Sequence, residues 1–218
     1  MILYGHPFSS YTWKALIPLY EKSLPFDFHS LGDEEANHYG ALTALWPLGK
    51  FPVLKDGDVT LIESSIIIEH LDIAYPDTPR MIPADPAAAL TVRFLDRVFD
   101  NHVMGQMQAV VAEHLPFITQ TPDENRIARA RAALATVYGW LEANLPVSEW
   151  ASGESFGLAD CAAAPSLFYA DWVHPIPDDH PRLRAYRARL LARPSLARTV
   201  DEARPYRHLF PLGAPDRD

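Results

Sequence analysis

The sequence predicts an α/β domain followed by an all-helical domain, and three observations support this division. Residues 1–76 alternate short strand patterns with helix patterns. Four prolines then fall within residues 76–86, where they prevent a helix from continuing and indicate a linker over residues 77–86. Over residues 87–218 helical patterns recur without a strand pattern, so the second domain is expected to be an all-α bundle.

The predicted elements of the first domain follow the order strand, helix, strand, helix, strand, strand, helix, which is typical of a thioredoxin-like fold. A turn at residues 56–58 makes the last two strands a hairpin, and Ser64 is expected to be the N-cap of the last helix. Pro18 interrupts the pattern of the first helix, so that helix is expected to kink or to end early. The strands are predicted at 2–5, 26–29, 51–55 and 59–62, and the helices at 11–22, 36–45 and 65–75, with the acidic residues Asp33, Glu34 and Glu35 before the second helix.

Five helices are predicted in the second domain, and prolines separate them. Cys161 falls in the first turn of one of them, before three alanines, and is expected to be a core residue without a reactive role. The five ranges are 87–114, 123–145, 157–173, 180–191 and 195–204.

Composition and charge exclude several classes of function. The formal net charge of −9 gives no electrostatic reason to expect nucleic acid or an anionic membrane as a partner. The single cysteine excludes an internal disulfide and a multi-thiolate metal site, and the nine histidines show no metal-ligand spacing, so no metal is expected. The first ten residues have no basic region or cleavage pattern, which favours a cytoplasmic protein.

The hairpin and the helix after it predict a site for a γ-glutamyl peptide. A cis bond before Pro52 would leave the N–H and C=O of Phe51 facing outward, where an extended peptide can pair with them. The helix start at Ser64 and Ser65 favours an anion, and Glu63 beside it can pair with an amine. Taken singly, these residues are better explained as a loop end, a helix cap and a solvated carboxylate, but together, in this order and spacing, they favour the ligand site.

These same residues resemble the glutathione transferase superfamily, cytosolic type. Residues 47–54 match the family's loop before its cis-proline strand, and Glu63 with Ser64 matches its γ-glutamyl signature. The resemblance covers essentially the whole chain. It implies a thioredoxin-like first domain, an all-helical second domain, glutathione as co-substrate, and usually a homodimer.

The loop before the first helix resembles the active-serine segments of two classes of this family. Residues 5–9 resemble the phi class and residues 9–14 the serine-rich motif of the zeta class, and both put the active hydroxyl at Ser9, with Ser10 as its neighbour. A hydrogen bond from Ser9 would stabilise a thiolate by about 1.5 to 3 kcal/mol. Each ~1.4 kcal/mol of this stabilisation lowers the thiol pKa by one unit from its usual value of ~8.5. Plain helix capping is the alternative for both serines. Tyr4 is the rival hydroxyl, although its apolar strand favours a core position.

The resemblance also assigns further contacts to glutathione. Lys50 occupies the position that binds the glycyl carboxylate in relatives, with a solvated lysine as the alternative, and His38 is a weaker candidate for that carboxylate. Asp96 or Asp100 could reach the γ-glutamyl amine bound to a partner subunit, as an aspartate does in related dimers.

An electrophile pocket is expected between the two domains, under the first long helix of the second. One face of that helix carries, at helical spacing, Asp100, Met104, Met107, Gln108 and Val111. Met104, Met107 and Gln108 are the candidates for the pocket, although such residues are more often plain core. Tyr11 is a candidate for a lid over the thiol.

Residues 156–160 resemble the family's capping box and hydrophobic staple. Gly157 stands where a serine or threonine usually caps, and it is expected to give up a side-chain acceptor worth a few tenths of a kcal/mol. Asp160 is expected to keep its capping role. Both residues are therefore assigned to folding.

Two classes of function follow from these residues. In the first, Ser9 stabilises a glutathione thiolate that attacks a small hydrophobic electrophile; isomerisation of the maleylacetoacetate type uses the same nucleophile and is the secondary possibility. In the second, the chain keeps the fold as a non-catalytic binding or scaffold module.

Overall fold

The computed structural model describes residues 1–32 and 37–218, and its N-terminal part is built on a four-stranded mixed sheet. The strands lie in the order β2-β1-β3-β4, with β1 parallel to β2 and antiparallel to β3. The predicted α/β order is therefore confirmed. The elements are β1 (Ile2–Gly5), α1 (Ser10–Glu21), β2 (Asp27–Ser30), α2 (His38–Leu45), β3 (Val53–Asp56), β4 (Val59–Ile62) and α3 (Ser64–Ala74).

The sheet has helices on both faces because neighbouring residues of a strand point to opposite sides. Leu3 of β1 packs with apolar residues of α1 and α3, whereas Tyr4 packs with Leu42 of α2 and with Val53. Tyr4 is buried, as expected of a core residue. Gly57 has a φ of +57° in the two-residue loop between β3 and β4, a backbone conformation that suits glycine.

Two details of the N-terminal helices differ from expectation. α1 runs through Pro18 to Glu21, so the predicted early end is wrong. α3 begins at Ser64, and Glu63 occupies the capping position, so Ser64 is not the N-cap. The predicted acidic helix start at Asp33, Glu34 and Glu35 lies outside the described residues.

The second part of the chain is all-helical among its described residues, as predicted. Its first long helix is interrupted by a π-helical segment at Phe99–Met104, which inserts an extra residue into the helical turn. The helices are α4 (Pro86–Val98), α5 (Gly105–Ala112), α6 (Glu124–Asn144), α7 (Leu158–Val173), α8 (Pro181–Leu191) and α9 (Pro194–Ala203), followed by a 3₁₀ helix at Arg204–Leu209.

The main core joins the two parts of the chain. Every residue of α7 is buried, and Trp13 and Ile17 of α1 belong to the same apolar cluster as α7. Cys161 is fully buried there, as expected. Among the described residues, no helix is long and apolar enough to cross a membrane. The division into residues 1–76, 77–86 and 87–218 stays a prediction.

The start of α7 explains why position 157 is a glycine. The N–H of Leu158 donates to the carbonyl oxygen of Met81 at 2.8 Å, which brings that carbonyl against Gly157. A Cβ at position 157 would overlap the Met81 oxygen and lie 2.9 Å from the Cβ of Ser152. Asp160 accepts from the N–H of Gly157 at 3.0 Å, as its capping role requires. Ser152 supplies the side-chain acceptor that Gly157 lacks, because its Oγ accepts from the N–H of Ala159 at 3.2 Å.

Candidate functional site

Two adjoining cavities lie where the sheet meets the second set of helices. One is polar, with a volume of about 290 Å³, and the other is mostly apolar, with a volume of about 540 Å³. Phe51 and Gln108 line both cavities. A ligand in the polar cavity can therefore reach into the apolar one between these two side chains.

The loop before β3 forms one wall of the polar cavity. The bond between Phe51 and Pro52 is cis, and both residues line this cavity. Strand pairing between β1 and β3 begins only at Val53. Within residues 1–32 and 37–218, the backbone N–H and C=O of Phe51 have no hydrogen-bond partner, so they remain available to a ligand.

The turn into α3 forms the facing wall. Glu63 has a φ of +68°, a region that non-glycine residues adopt rarely. Glu63 and Ser64 both line the polar cavity. The first N–H groups of α3 have no acceptor within the helix, so this end of the cavity favours a negative charge.

Buried charges lie behind this wall. The Lys14 ammonium is fully buried and lies 2.6 Å from an oxygen of Asp96 and 2.6 Å from one of Asp100. Arg97 pairs with the same two carboxylates, and Arg97 and Asp100 reach the polar cavity. Burial raises the pKa of Asp100 above its usual value, and Lys14 and Arg97 offset only part of that effect.

This cluster changes the role expected of the two aspartates. Asp96 is 2 % exposed and is held by Lys14, Arg97 and Ser65 of its own chain, so the expectation that it reaches a partner subunit's ligand is wrong. Asp100 lines the polar cavity of its own chain. We therefore assign Asp100 to this chain's own site rather than to a partner's.

Ser9 and Ser10 lie on the wall of the apolar cavity. Ser9 is the N-cap of α1, but its Oγ accepts from the N–H of Thr12 at 3.4 Å, which is a long hydrogen bond. Its hydroxyl proton therefore remains free to donate. Ser10 is 6 % exposed and accepts from Nε2 of Gln108, also at 3.4 Å.

Tyr11 lines the polar cavity rather than covering the apolar one. Burial raises its pKa to about 12, and the nearby Asp100 carboxylate adds to this effect. The phenol is therefore uncharged at neutral pH and can act only as a hydrogen-bond donor or acceptor, not as a base.

The other predicted residues divide between the cavities and the core. Met107 and Gln108 line the apolar cavity and Lys50 lines the polar one. Met104 is fully buried in the main core and lines neither cavity, so its assignment to the pocket is wrong. His38 also lies outside both cavities, because its ring stacks on His29 at 4.3 Å and its Nδ1 lies 3.0 Å from the carbonyl oxygen of Ser30.

Several lining residues had not been predicted from the sequence. His6 and Phe8 come from the loop before α1, and the N–H of Phe8 donates to Nδ1 of His6 at 3.1 Å. Burial lowers the pKa of His6, so its imidazole is neutral at neutral pH. Val111 lines the apolar cavity and lies on the helical face that the sequence predicts for the pocket. No local pattern could have identified the others, because they meet only in the folded chain: Arg97 and Asn101 in the polar cavity, and Leu115, Phe117, Tyr169, Leu209, Phe210 and Pro211 in the apolar one.

Comparison with protein families gives two matches on this chain. Residues 3–79 match the family described as glutathione S-transferase, N-terminal domain, and residues 124–189 match glutathione S-transferase, C-terminal domain. The first match includes the loop before β3 and the turn into α3. The two matches thus fall on the two structural parts of the chain, in the same order.

Individual proteins resemble the chain over nearly its whole length. Glutathione S-transferase PARB of Nicotiana tabacum is 28% identical over 92% of this chain and 97% of its own length. A probable maleylacetoacetate isomerase of Vibrio cholerae is 29% identical over 94% and 97%. The solved structure of a Methylobacterium radiotolerans glutathione S-transferase, in complex with glutathione sulfonate, is 28% identical over 91% of this chain and 93% of that chain, with a TM-score of 0.75. The chain belongs to the glutathione transferase superfamily.

Proposed function

We propose that this enzyme binds glutathione in the polar cavity and joins the glutathione sulfur to the reactive carbon of an apolar electrophile bound in the adjoining cavity. The observation that carries the proposal is the junction of the two cavities. The polar cavity has groups suited to each end of the tripeptide, and it opens between Phe51 and Gln108 toward the wall that holds Ser9 and Ser10. A peptide thiol lying along the polar cavity would therefore place its sulfur beside those hydroxyls.

Each part of glutathione finds a chemically suitable group in the polar cavity. The γ-glutamyl carboxylate suits Ser64 and the first N–H groups of α3, and its amine suits Glu63 and Asp100. The cysteinyl backbone would pair with the free N–H and C=O of Phe51 in the manner of an added strand. The glycyl carboxylate suits Lys50, which lies on the same loop. The Methylobacterium relative, which holds glutathione sulfonate, supports this class of ligand.

We assign to Ser9 the role of stabilising the glutathione thiolate by a hydrogen bond. The hydroxyl proton of Ser9 is free to donate to sulfur, because its oxygen is used only as the acceptor of a long capping bond. Such a bond contributes about 1.5 to 3 kcal/mol, which corresponds to a pKa about one to two units lower. The thiolate then forms a bond to the electrophilic carbon, and the leaving group departs with its electron pair.

The lining of the apolar cavity favours an uncharged electrophile. Among the described residues it contains no arginine or lysine, and its polar groups are His6, Ser9, Ser10, Gln108 and the hydroxyl of Tyr169. That hydroxyl already donates to the carbonyl oxygen of Phe8 at 2.9 Å. A carboxylate placed in this cavity would lack a cationic partner and would be costly to desolvate.

Isomerisation of the maleylacetoacetate type is the second candidate. It is favoured by the Vibrio cholerae relative and by the adjacent serines Ser9 and Ser10. Its substrate carries two carboxylates, however, and the described lining of the apolar cavity offers no lysine or arginine to receive them. A third possibility, a non-catalytic binding module, would use the polar cavity alone.

The experiment compares Ser9→Ala with Ser9→Gly. Glycine caps a helix almost as well as serine, whereas alanine does not, and neither has a hydroxyl. If Ser9 holds the thiolate, both variants raise the pKa seen in the pH profile of kcat/KM by about one to two units, and kcat/KM at neutral pH falls about 10- to 100-fold. Only Ser9→Ala should also lower the free energy of unfolding, by about 1 kcal/mol.

Two results would count against the proposal. If neither variant moves the pKa of the profile, Ser9 is only a helix cap. If the wild type is retained on immobilised glutathione but converts neither a panel of uncharged electrophiles nor maleylacetoacetate, the protein is a binding module.

A further inference from the structure

A third cavity lies between β2 and α9 and has a volume of about 680 Å³. We name it the β2–α9 groove and define it by the lining residues that these two elements and the turn before β2 contribute: Phe26, Phe28, Ser30, Arg198, Thr199 and Glu202. Leu16, Leu19 and Tyr20 of α1 also line it. The groove shares no lining residue with the polar or the apolar cavity, so an occupant of the groove would leave both of them open.

The strand beside the groove has an unpaired edge. β2 is an outer strand of the sheet and pairs with β1 on one side. The N–H groups of Asp27 and Leu31 donate toward β1 at 3.0 and 2.9 Å, so those of the alternate residues, Phe28 and Ser30, point away from it. Among the described residues, the N–H and C=O of Phe28 and the N–H of Ser30 have no hydrogen-bond partner. An extended segment can pair with these groups as an added strand.

The side chains of such a segment would reach the groove. Successive side chains of a strand point to opposite faces of the sheet, so every second residue of the added strand would lie on the face that Phe28 occupies. That face is apolar, because Phe26 and Phe28 are half-buried there against the cluster that contains Leu3. The volume of the groove lies within the range of about 300 to 1,000 Å³ that is typical of binding cavities. Apolar side chains at alternate positions therefore suit it.

The α9 wall carries a guanidinium group with unused donors. Nε of Arg198 donates to one oxygen of Glu202 at 2.8 Å, and the Tyr20 hydroxyl donates to the other oxygen at 2.6 Å. The guanidinium also lies over the Tyr20 ring, 4.0 Å from its centroid, which fixes its orientation. In the part of the chain that the structure describes, the two terminal amino groups of Arg198 have no acceptor. They can bind a carboxylate through two parallel hydrogen bonds.

We propose that the β2–α9 groove binds an extended segment of a partner protein that carries apolar side chains at alternate positions and an acidic side chain next to Arg198. The segment would hydrogen-bond to the backbone of Phe28 and Ser30, and its apolar side chains would fill the space between β2 and α9. Charge complementarity favours the acidic residue, because both oxygens of Glu202 are occupied whereas Arg198 has donors left. This interaction goes beyond the proposed function and does not depend on it.

The experiment begins with random peptides displayed on phage and selected on the wild-type protein. We expect the selected peptides to share apolar residues at alternate positions and one aspartate or glutamate. Hydrogen exchange followed by NMR then locates the bound peptide. Binding should slow the exchange of the Phe28 and Ser30 amides, whereas the amides of Asp27 and Leu31, which already donate within the sheet, should change little.

A pair of matched variants tests the acidic residue. Arg198→Gln keeps a donor for Glu202 but loses the charge, and Arg129→Gln makes the same change at an exposed position of α6 outside the groove. The dissociation constant of a selected peptide should rise about 10-fold in Arg198→Gln, as expected for the loss of one charge-assisted contact, and less in high salt. Arg129→Gln should bind the peptide like the wild type, and both variants should keep the wild-type enzyme activity.

Methylated peptides test the added strand without altering the protein. A methyl group on a peptide nitrogen that faces β2 should abolish binding, whereas methylation of the neighbouring nitrogens should not. The proposal is wrong if no peptide is selected, if the selected peptides leave the Phe28 and Ser30 amides unprotected, or if Arg198→Gln binds them as tightly as the wild type does. It is also wrong if these amides become protected in the protein alone as its concentration rises, since the occupant is then a second copy of the chain.

Discussion

At the scale of single residues, Tyr11 and Ser9 are the two hydroxyl groups from the start of α1 whose roles can be separated by pH. Tyr11 lies in the polar cavity and its pKa is raised to about 12 by burial and by Asp100. The phenol is therefore protonated at neutral pH, so it can donate to a ligand but cannot remove a proton.

Tyr11→Phe should therefore change the rate without changing the pH dependence. The loss of one neutral hydrogen bond of about 0.5 to 1.5 kcal/mol lowers kcat/KM about 2- to 10-fold. The pKa of the pH profile of kcat/KM should stay at its wild-type value, unlike that of Ser9→Ala. An acid limb that disappears in Tyr11→Phe would mean that the phenol acts as a base and that its pKa is not raised.

The residues of the polar cavity that could be predicted from the sequence are those that lie next to each other in the chain. Phe51 and Pro52 lie on one short loop, and Glu63 and Ser64 lie on one turn. Their residue types and spacing were therefore enough to predict that they line one polar site. Arg97 and Tyr169 come from two distant helices, and Phe210 follows the 3₁₀ helix near the end of the chain. Whether these residues come into contact depends on how the helices pack against one another, and the hydrophobic periodicity of the sequence does not predict that packing.

At the scale of single elements, the start of α7 shows how a tertiary contact can override a local rule. Read alone, Gly157 is a weak cap that serine would improve. In the folded chain its missing Cβ makes room for the Met81 carbonyl, which accepts from Leu158, and Ser152 supplies the acceptor instead.

We accordingly expect Gly157→Ser to destabilise the protein, not to stabilise it. The added Cβ forces the Met81 segment away from α7 and should lower the free energy of unfolding by about 1 to 3 kcal/mol. Denaturant titration followed by circular dichroism measures this change.

Gly139→Ala is the matched control for that measurement. In α6 a Cβ at position 139 would meet only Nε2 of His180, at 3.7 Å. Alanine there should raise the free energy of unfolding by up to about 1 kcal/mol through helix propensity. A stabilised Gly157→Ser would show that Met81 can move at little cost.

The π-helical segment explains the incorrect assignment of Met104. A regular helix would place Asp100, Met104 and Met107 on one face, which is the basis of the sequence prediction. The extra residue within Phe99–Met104 rotates the faces before and after it relative to each other. Asp100 then reaches the polar cavity and Met107 the apolar one, while Met104 faces the core.

At the scale of the whole molecule, the two parts of the chain are joined by buried charge as well as by the apolar core. Lys14 of α1 pairs with Asp96 of α4 and with Asp100 of the π-helical segment, and it also donates to Ser65 of α3 at 2.8 Å. Removing one member of this buried ion cluster would leave the remaining charges buried without partners, which is strongly destabilising. Two members of the same cluster, Arg97 and Asp100, line the polar cavity, so groups that join the two parts of the chain also face the ligand site.

One apolar surface of the molecule has no covering element among the described residues, and we propose that a second copy of the chain covers it. We define the α3–α4 patch as Ile66 and Ile73 of α3 with Leu90 and Phe94 of α4; their exposed fractions are 50, 79, 69 and 52%. The patch is continuous, because Glu69 and Arg93 form an ion pair of 2.9 Å between the two helices and the four apolar residues flank it. Apolar patches of this kind mark interaction sites, and a homodimer is the assembly that the sequence leads us to expect.

The double variant Leu90→Glu, Phe94→Glu should convert the dimer to a folded monomer. Four carboxylates would face one another across a two-fold interface, since each substitution occurs twice, and each would lose water on association. Leu90 is 69% exposed, so its substitution should change the free energy of unfolding of the single chain by less than about 0.5 kcal/mol. Phe94 packs edge-on against Trp140 at 5.9 Å between ring centroids, so its substitution should lower that free energy by about 0.5 to 1.5 kcal/mol, which leaves the chain folded. Sedimentation equilibrium gives the mass, and Val147→Glu, at a fully exposed position outside the patch, serves as the control that stays dimeric. A wild type that sediments as a single chain, or a double variant that remains a dimer, would show that the α3–α4 patch is not the interface.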